Sequence, residues 1–270
     1  MESCCICGTV KNCGPYLSKV LENVTKITSL FIDYQVIIYY DDSTDDSLKL
    51  LKQYKKKYKK VHIHHNKIFK SDYRTHRLAF GRNYCLKKIN KHYSHFKYFI
   101  MMDFDNVCFD DINISVLENH INNNDYEWDA LSFNKKNYYD IWALSIRPYI
   151  FSYAHFNDSD KVANDMNQYI TQQLTCMDKN KLLPCYSAFN GFSIYKTNIF
   201  KDSYYDGKIC LNLIPPKYIE ETKKQNNSDI VFNDKDWLHS KYEDCEHRSF
   251  HFYAIYKKNA RILISPEILF

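Results

Sequence analysis

A chain of 270 residues with 45% hydrophobic side chains, 26% charged ones, and only 5 Gly and 6 Pro can build a large core and has too little linker composition for a low-complexity or fibrous protein. The formal net charge is a modest +5; the basic run Lys52–Lys60 comes with no nucleic-acid motif, so no nucleic-acid partner is expected, and a mild positive balance suits a doubly charged diphosphate instead. Ten cysteines in a chain with this much core argue for buried thiols over a disulfide framework.

Cys4, Cys5 and Cys7 lie in an apolar stretch, Ser3–Val10, that reads as a first buried strand. The Cys4–Cys7 spacing has no second pair to complete a zinc site. Apolar residues at helical spacing follow over Pro15–Phe31: Leu17, Val20, Leu21, Val24, Ile27 and Leu30. Gln35–Tyr40 is a second apolar strand. It ends in Asp41-Asp-Ser-Thr-Asp45, where Ser43 or Thr44 could cap a helix over Asp46–Lys57. Val61–His65 reads as a short strand, Leu78–Asn90 as a helix and Lys97–Met102 as a fourth strand. This alternation predicts an α/β fold with a mostly parallel central sheet flanked by helices.

The second half is less regular. A strand is expected at Ala130–Phe133, and Tyr138–Leu144 is aromatic with one acid. A helix is expected over 158–180, with Val162, Met166, Ile170 and Leu174 four residues apart. Ser187–Tyr195 reads as a strand around Asn190-Gly191, 217–236 as a mobile polar loop, Glu243–Tyr256 as a helix and Ile262–Ile264 as a last strand. No repeat or linker divides the chain, so a single domain over 1–270 is expected. There is no charged-then-apolar leader at Met1 and no run of 18 apolar residues, so no integral membrane segment is expected. The expectation is a soluble protein of a reducing cytoplasm, a host's cytoplasm were the chain viral. Sequons at Asn23, Asn113, Asn157 and Asn226 are what chance provides in an Asn-rich chain. The sequence fixes no oligomeric state.

The strongest chemical signal is Tyr98-Phe-Ile-Met-Met-Asp-Phe-Asp105. Side chains alternate along a strand, so Asp103 and Asp105 point to one side. Two carboxylates at one spot need a cation or a proton, and an oxygen-rich site suits Mg²⁺ or Mn²⁺, which in turn hold phosphates. In parallel sheets ligands bind beyond the carboxyl ends of the strands, where both Asp41–Asp45 and Asp103–Asp105 fall.

Three segments together carry a resemblance: Tyr40-Asp-Asp-Ser-Thr-Asp-Asp-Ser47, Phe80-Gly-Arg-Asn-Tyr84 and Met102-Asp-Phe-Asp105. In order and spacing they resemble the acidic turn, the Ala-Arg-Asn segment and the Asp-x-Asp motif of the GT-A nucleotide-sugar glycosyltransferases. Tyr138-Tyr-Asp-Ile-Trp-Ala-Leu144, Ala188-Phe-Asn-Gly-Phe-Ser-Ile-Tyr195 and Cys245-Glu-His-Arg-Ser-Phe-His251 are similar to segments of the fungal capsule-type mannosyltransferases and related viral and bacterial enzymes. The resemblance implies a single Rossmann-like GT-A domain, with a nucleotide-sugar donor half over 1–110 and an acceptor half over 111–270. It also implies a UDP- or GDP-sugar donor, Mn²⁺ or Mg²⁺, and a hydroxyl acceptor on a glycan or glycoprotein.

Roles follow from that resemblance. Asp41 and Asp42 would accept hydrogen bonds from the base and ribose. Arg82, and Arg77 as a second candidate, would pair with the diphosphate, with Asn83 orienting it. Asp105 would ligate the metal directly, and Asp103 would bind metal, ribose or both. His247 and His251, four residues apart on one helical face, are candidates for a further metal ligand. No histidine follows His251, a departure from the common pattern. Asn190 and Gly191 would line the sugar pocket, and Asp140 and Trp142 would hold a sugar by hydrogen bonding and stacking. Glu246 best fits the acceptor-deprotonating base, with Asp244 as the runner-up; Glu243 would share a helical face with Glu246. Two other readings stay open: a metal-dependent phosphatase or nucleotidyltransferase built on Asp-x-Asp, and a non-catalytic nucleotide-sugar-binding module.

Overall fold

Every residue from Tyr98 to Met102 is buried. Alternation sends Tyr98, Ile100 and Met102 into one apolar layer and Phe99 and Met101 into another. A strand covered on both faces needs helices on both sides of its sheet. A computed structural model describes residues 2–123, 127–208, 211–226 and 243–270. The elements are β1 (Ser3–Val10), α1 (Gly14–Thr28), β2 (Asp33–Tyr40), α2 (Ser47–Lys57), β3 (Val61–His65), α3 (Arg74–His92), β4 (Tyr98–Met102), α4 (Ile114–Asn122), β5 (Ala130–Asn134), α5 (Ser159–Cys176), β6 (Leu183–Cys185), β7 (Phe192–Lys196), α6 (Thr197–Phe200), α7 (Pro216–Asn226), α8 (Glu246–Lys258) and β8 (Ile262–Ile268).

One eight-stranded sheet runs in the order β3-β2-β1-β4-β7-β5-β8-β6. β3, β2, β1 and β4 pair in parallel, as do β5 and β8. β7 is antiparallel to β4 and β5, and β6 to β8. All strands except β7 and β6 therefore run one way, the mostly parallel sheet that the alternation predicts. On one face α1 buries Leu17, Val20, Leu21, Val24 and Ile27, each contributing about 1.5–3 kcal/mol before entropy is counted. On the other, Cys85, Leu86 and Ile89 of α3 pack with Phe250 and Ala254 of α8. A third cluster forms where Val162, Met166, Ile170 and Leu174 of α5 meet Leu144, Phe151 and Ile264. The nine described cysteines are free thiols, and Cys4, Cys5 and Cys7 are buried; Cys210 lies outside the described residues. No helix among the described residues is long and apolar enough to cross a membrane.

Several expectations are corrected. α3 begins at Arg74, a turn before Leu78, because Glu243 caps it from afar: its carboxylate accepts from Thr75 N at 3.0 Å and Thr75 Oγ1 at 2.7 Å. Glu243 therefore precedes α8 and shares no helical face with Glu246. Ser43 and Thr44 do not cap α2. They meet Asn12, with Asn12 N donating to Ser43 Oγ at 2.9 Å and Thr44 N to Asn12 Oδ1 at 2.9 Å. The strand expected from Ser187 starts only at Phe192, because Asn190 and Gly191 turn with φ of 52° and 86°. Pro216–Asn226 is helical where a mobile loop is expected; the rest of that loop, 227–236, lies outside the described residues.

Asn23 is no glycan acceptor. It is fully buried, and its Nδ2 donates to the carbonyls of Cys108 at 3.0 Å and Asp110 at 2.7 Å. It thereby ties the segment after Asp105 to α1. Asn23→Ala strands the buried Cys108 carbonyl and removes the donor to the partly buried Asp110 carbonyl; it should cost about 2 kcal/mol, read as a lower urea midpoint with an unchanged slope.

Candidate functional site

The chain proceeds from β1 outward to β2 and β3, then returns to place β4 on the other side of β1. At such a reversal the flanking helices diverge and leave a crevice beyond the strand ends. A cavity of about 230 Å³ opens there, lined among others by Lys11, Asp41, Asn66, Arg74, Arg77, Asp103 and Asp105. A second, of about 210 Å³, shares Lys11, Asp41, Asn66 and Arg77 and extends to Asp42, Phe69 and Lys70.

The acidic turn divides by role. Asp41 accepts from Lys11 Nζ at 3.0 Å and from Asn66 Nδ2 at 3.0 Å. Burial alone would raise its carboxyl; the Lys11 and Asn66 hydrogen bonds outweigh it and hold the group below the usual range. Asp42 is exposed and meets His65 Nε2 at 2.5 Å. Asp45 faces away from the cleft and accepts from Gly14 N, the first residue of α1, at 2.7 Å.

Asp103 and Asp105 both line the larger cavity. The backbone N–H of Asp103 donates to Gly191 O at 2.8 Å. Asp103 Oδ1 accepts from Arg82 Nη2 at 2.9 Å and Oδ2 from the Tyr139 hydroxyl at 3.1 Å. Asp105 accepts from Val107 N at 3.0 Å. Burial, then the neighbouring Asp103 charge, push its carboxyl up to about 6. Asp140 stands beside this group, accepting from Ala143 N at 3.2 Å. Burial and Asp103 push it up to about 7. This excess of carboxylate is the charge pattern that a hard divalent cation relieves. Among the described residues no three His, Cys, Asp or Glu side chains form a cage for a metal. A pair of carboxylates fits the narrower requirement of an ion that keeps waters and is completed by substrate phosphates.

Other predicted residues lie elsewhere. Arg82 is 3% exposed and is directed behind the cleft, to Asp103, Glu246 and the Nε2 of His247. Asn83 is spent on Tyr205, donating to its carbonyl at 2.7 Å and accepting from its N–H at 2.8 Å. It is therefore not free to orient a diphosphate. Asn190 is buried and donates to Phe133 O at 3.0 Å, while its Oδ1 accepts from the N–H groups of Tyr139 and Asp140, both at 3.3 Å. Gly191 serves close approach within the chain: an added Cβ would lie 2.2 Å from Val107 Cγ1. These two residues brace the Asp105 and Asp140 loops and do not line either cavity. Trp142 packs against the core with Nε1 unpartnered among the described residues.

The late cluster also sorts itself. Both ring nitrogens of His251 are engaged within the core: Ser187 Oγ meets its Nδ1 at 2.9 Å and the Tyr195 hydroxyl its Nε2 at 3.1 Å. Burial, then the Arg248 charge, push it down to about 3. His247 stacks on Phe189 with centroids 3.7 Å apart; burial and Arg82 keep it neutral, and its Nε2 faces Arg82. Asp244 is buried and bidentate to Arg248 Nε, at 3.2 and 2.9 Å. Burial would raise it, but Arg248 holds it low, which withdraws it from proton transfer. Glu246 is buried and paired with Arg82; burial raises its carboxyl against the opposing pull of that guanidinium. Sequence reasoning missed Lys11, Asn66, Arg74, Tyr139 and Arg248. Arg74 had a local signal, its spacing of three residues from Arg77, and Tyr139 and Arg248 lie inside two segments that carry the resemblance.

The sequence profile of glycosyl transferase family 2 matches residues 5–193. Among solved structures, TarS from S. aureus is similar at 15% identity and TM-score 0.49, over 100% of this chain and 59% of that one. A mannosyltransferase from Pyrobaculum calidifontis in complex with GDP-Man and Mn²⁺ is similar at 11% and 0.43, over 75% and 47%. Glucosyl-3-phosphoglycerate synthase from Mycobacterium tuberculosis in complex with uridine diphosphate is similar at 8% and 0.42, over 74% and 58%. The chain thus spans 47% to 59% of the lengths of these proteins. No curated protein matches it.

The raised carboxyls carry a signed pH dependence. A carboxyl with a folded pKa near 6 and an unfolded one near 3.9 binds its proton more tightly in the native state, so its contribution to stability falls as pH rises from about 4 through 6. Asp105→Asn removes that penalty. The ligand-free variant should be more stable than the parent at pH 8, on the order of 1–2 kcal/mol after allowing for partial exposure. The difference should vanish near pH 4 in paired thermal melts.

Proposed function

This chain belongs to glycosyl transferase family 2, and from that premise we propose that its cleft takes a nucleoside diphosphate sugar, UDP- or GDP-linked, and that the sugar passes to an acceptor hydroxyl on a glycan or protein. One observation carries the reading. At the carboxyl ends of β1, β2 and β4, the cations Lys11, Arg74 and Arg77 share a cavity with the carboxylates Asp41, Asp103 and Asp105. Cations suit a diphosphate, and carboxylates suit base and ribose donors and a divalent cation.

In this reading Asp41, Asp42 and Asn66 hold the nucleoside over the smaller cavity. Arg74, Arg77 and Lys11 hold the diphosphate, taking the role expected of Arg82. Asp103 and Asp105 would hold Mg²⁺ or Mn²⁺, which when bound neutralises charge on the leaving diphosphate. Tyr139 and Asp140 border the sugar. Of the two late acids, Glu246 takes the acceptor proton in this reading, because Arg82 ties it to Asp103 at the cleft, whereas Asp244 is committed to Arg248. The donor residues then come from 1–110 and the acceptor-side residues from 111–270. An aspartyl-phosphatase reading has no use for the Asp41–Asn66 end of the cavity.

UDP or GDP at about 100 times its Kd should raise the melting temperature by about 5 °C with Mn²⁺, and far less in EDTA. Asp105→Ala should abolish the metal-dependent part. Glu246→Gln should keep nucleotide binding while lowering turnover of a sugar nucleotide by about 100-fold or more. A protein stabilised by neither nucleotide would overturn the proposal, and Glu246→Gln at full activity would remove that residue from it.

A further inference from the structure

α3 presents Arg74 and Arg77 to the cleft, yet Arg82, two turns on, points behind it. Its Nη2 donates to Asp103 Oδ1 at 2.9 Å, and its Nη1 reaches Glu246 and the Nε2 of His247. The guanidinium lies 4.7 Å from the ring centre of Phe189 and 5.9 Å from that of Tyr205, so aromatic faces limit its tilt. Asp103 is fixed from its other oxygen by the Tyr139 hydroxyl at 3.1 Å. One rigid fork thus sets the spacing between the end of β4 and the first residue of α8.

We propose that Arg82 is a positioning residue for sugar transfer: it fixes Glu246 against Asp103 and does not bind the diphosphate. This rests on the glycosyl-transfer reading of the same site. A guanidinium offers donors at fixed angles, so it sets the orientation of both carboxylates; an ammonium supplies the charge without the fork. Diphosphate neutralisation does not require Arg82, because Lys11, Arg74 and Arg77 already line the cavity. Misplacing a reacting group by about 1 Å can cost about 100-fold in rate.

The test uses the full chain with Mn²⁺ and follows hydrolysis of UDP-glucose, UDP-GlcNAc and GDP-mannose, where water replaces the acceptor. With whichever donor the parent turns over, Arg82→Lys should lower kcat by about 30- to 100-fold and change KM less than about threefold. Added to Glu246→Gln, it should cost little more, since the two act as a unit. A loss lying mainly in KM, unchanged kinetics, or a fully additive double variant would overturn the proposal. Should Arg82→Lys not fold, the double variant Arg82→Met/Glu246→Leu replaces the buried pair with apolar groups, a change buried pairs often tolerate. It is read by Mn²⁺-dependent UDP or GDP binding alone: retained binding supports a positioning role, and lost binding makes Arg82 a diphosphate ligand. If the parent binds neither nucleotide, the glycosyl-transfer reading fails and takes this inference with it; a parent that binds and turns over, with Arg82→Lys unaffected, overturns this inference alone.

Discussion

Three carboxylates, Asp103, Asp140 and Glu246, act on one buried guanidinium or on one another. Taking a charge out of water costs several kcal/mol unless a partner repays it. That balance needs three parts of the chain at once. α3 must bring Arg82, the end of β4 must bring Asp103, and the first turn of α8 must bring Glu246. The packing of α3 and α8 on the same face of the sheet is what lets a dry ion pair exist there. Asp103 thus has a buried partner on one side and lines the cavity on the other.

The sheet's first half was legible because its period is unambiguous. β1, β2 and β4 are apolar at consecutive positions and each ends at an acidic or turn residue, so the strand ends and the chemistry coincide. What periodicity could not supply was direction. His247 and His251 do share a face, as four-residue spacing requires, but that face looks into the core, where Ser187 and Tyr195 satisfy His251. Arg82 and Asn83 read as one motif in sequence. On a helix, neighbours diverge by about 100°, so Arg82 meets two carboxylates while Asn83 clamps the backbone of Tyr205. Lys11 and Asn66 carried no local signal at all, because each reaches the site from a loop whose path is set by tertiary packing; Tyr139 lies in a segment that carries the resemblance, but nothing there sets it apart from its neighbours.

Asn190 and Gly191 act on the site through the backbone of its loops. The resemblance implies that they line the sugar pocket; in the structure their turn borders neither described cavity and packs against the Asp105 and Asp140 loops. It holds the Tyr139–Asp140 backbone through Asn190 and admits Val107 against Gly191. Gly191 O also accepts the Asp103 N–H, so this turn supports the end of the strand where Asp103 and Asp105 repel each other. The repulsion within the acidic pair is thus opposed by the Arg82 ion pair on one side and by these neutral contacts on the other.

β7 enters the sheet between β4 and β5 although it follows them in sequence, and Gly191, just before it, receives the Asp103 N–H. The strand carrying the acidic pair therefore has an unsatisfied edge on one side until a segment some ninety residues downstream slots in. During synthesis the β1–β4 half leaves the ribosome with an open, apolar, hydrogen-bonding flank, the kind of edge that invites mispairing. The antiparallel strand that closes it also sets the last backbone bond behind Asp103, so a single pairing both covers the edge and fixes the strand end that carries the acidic pair.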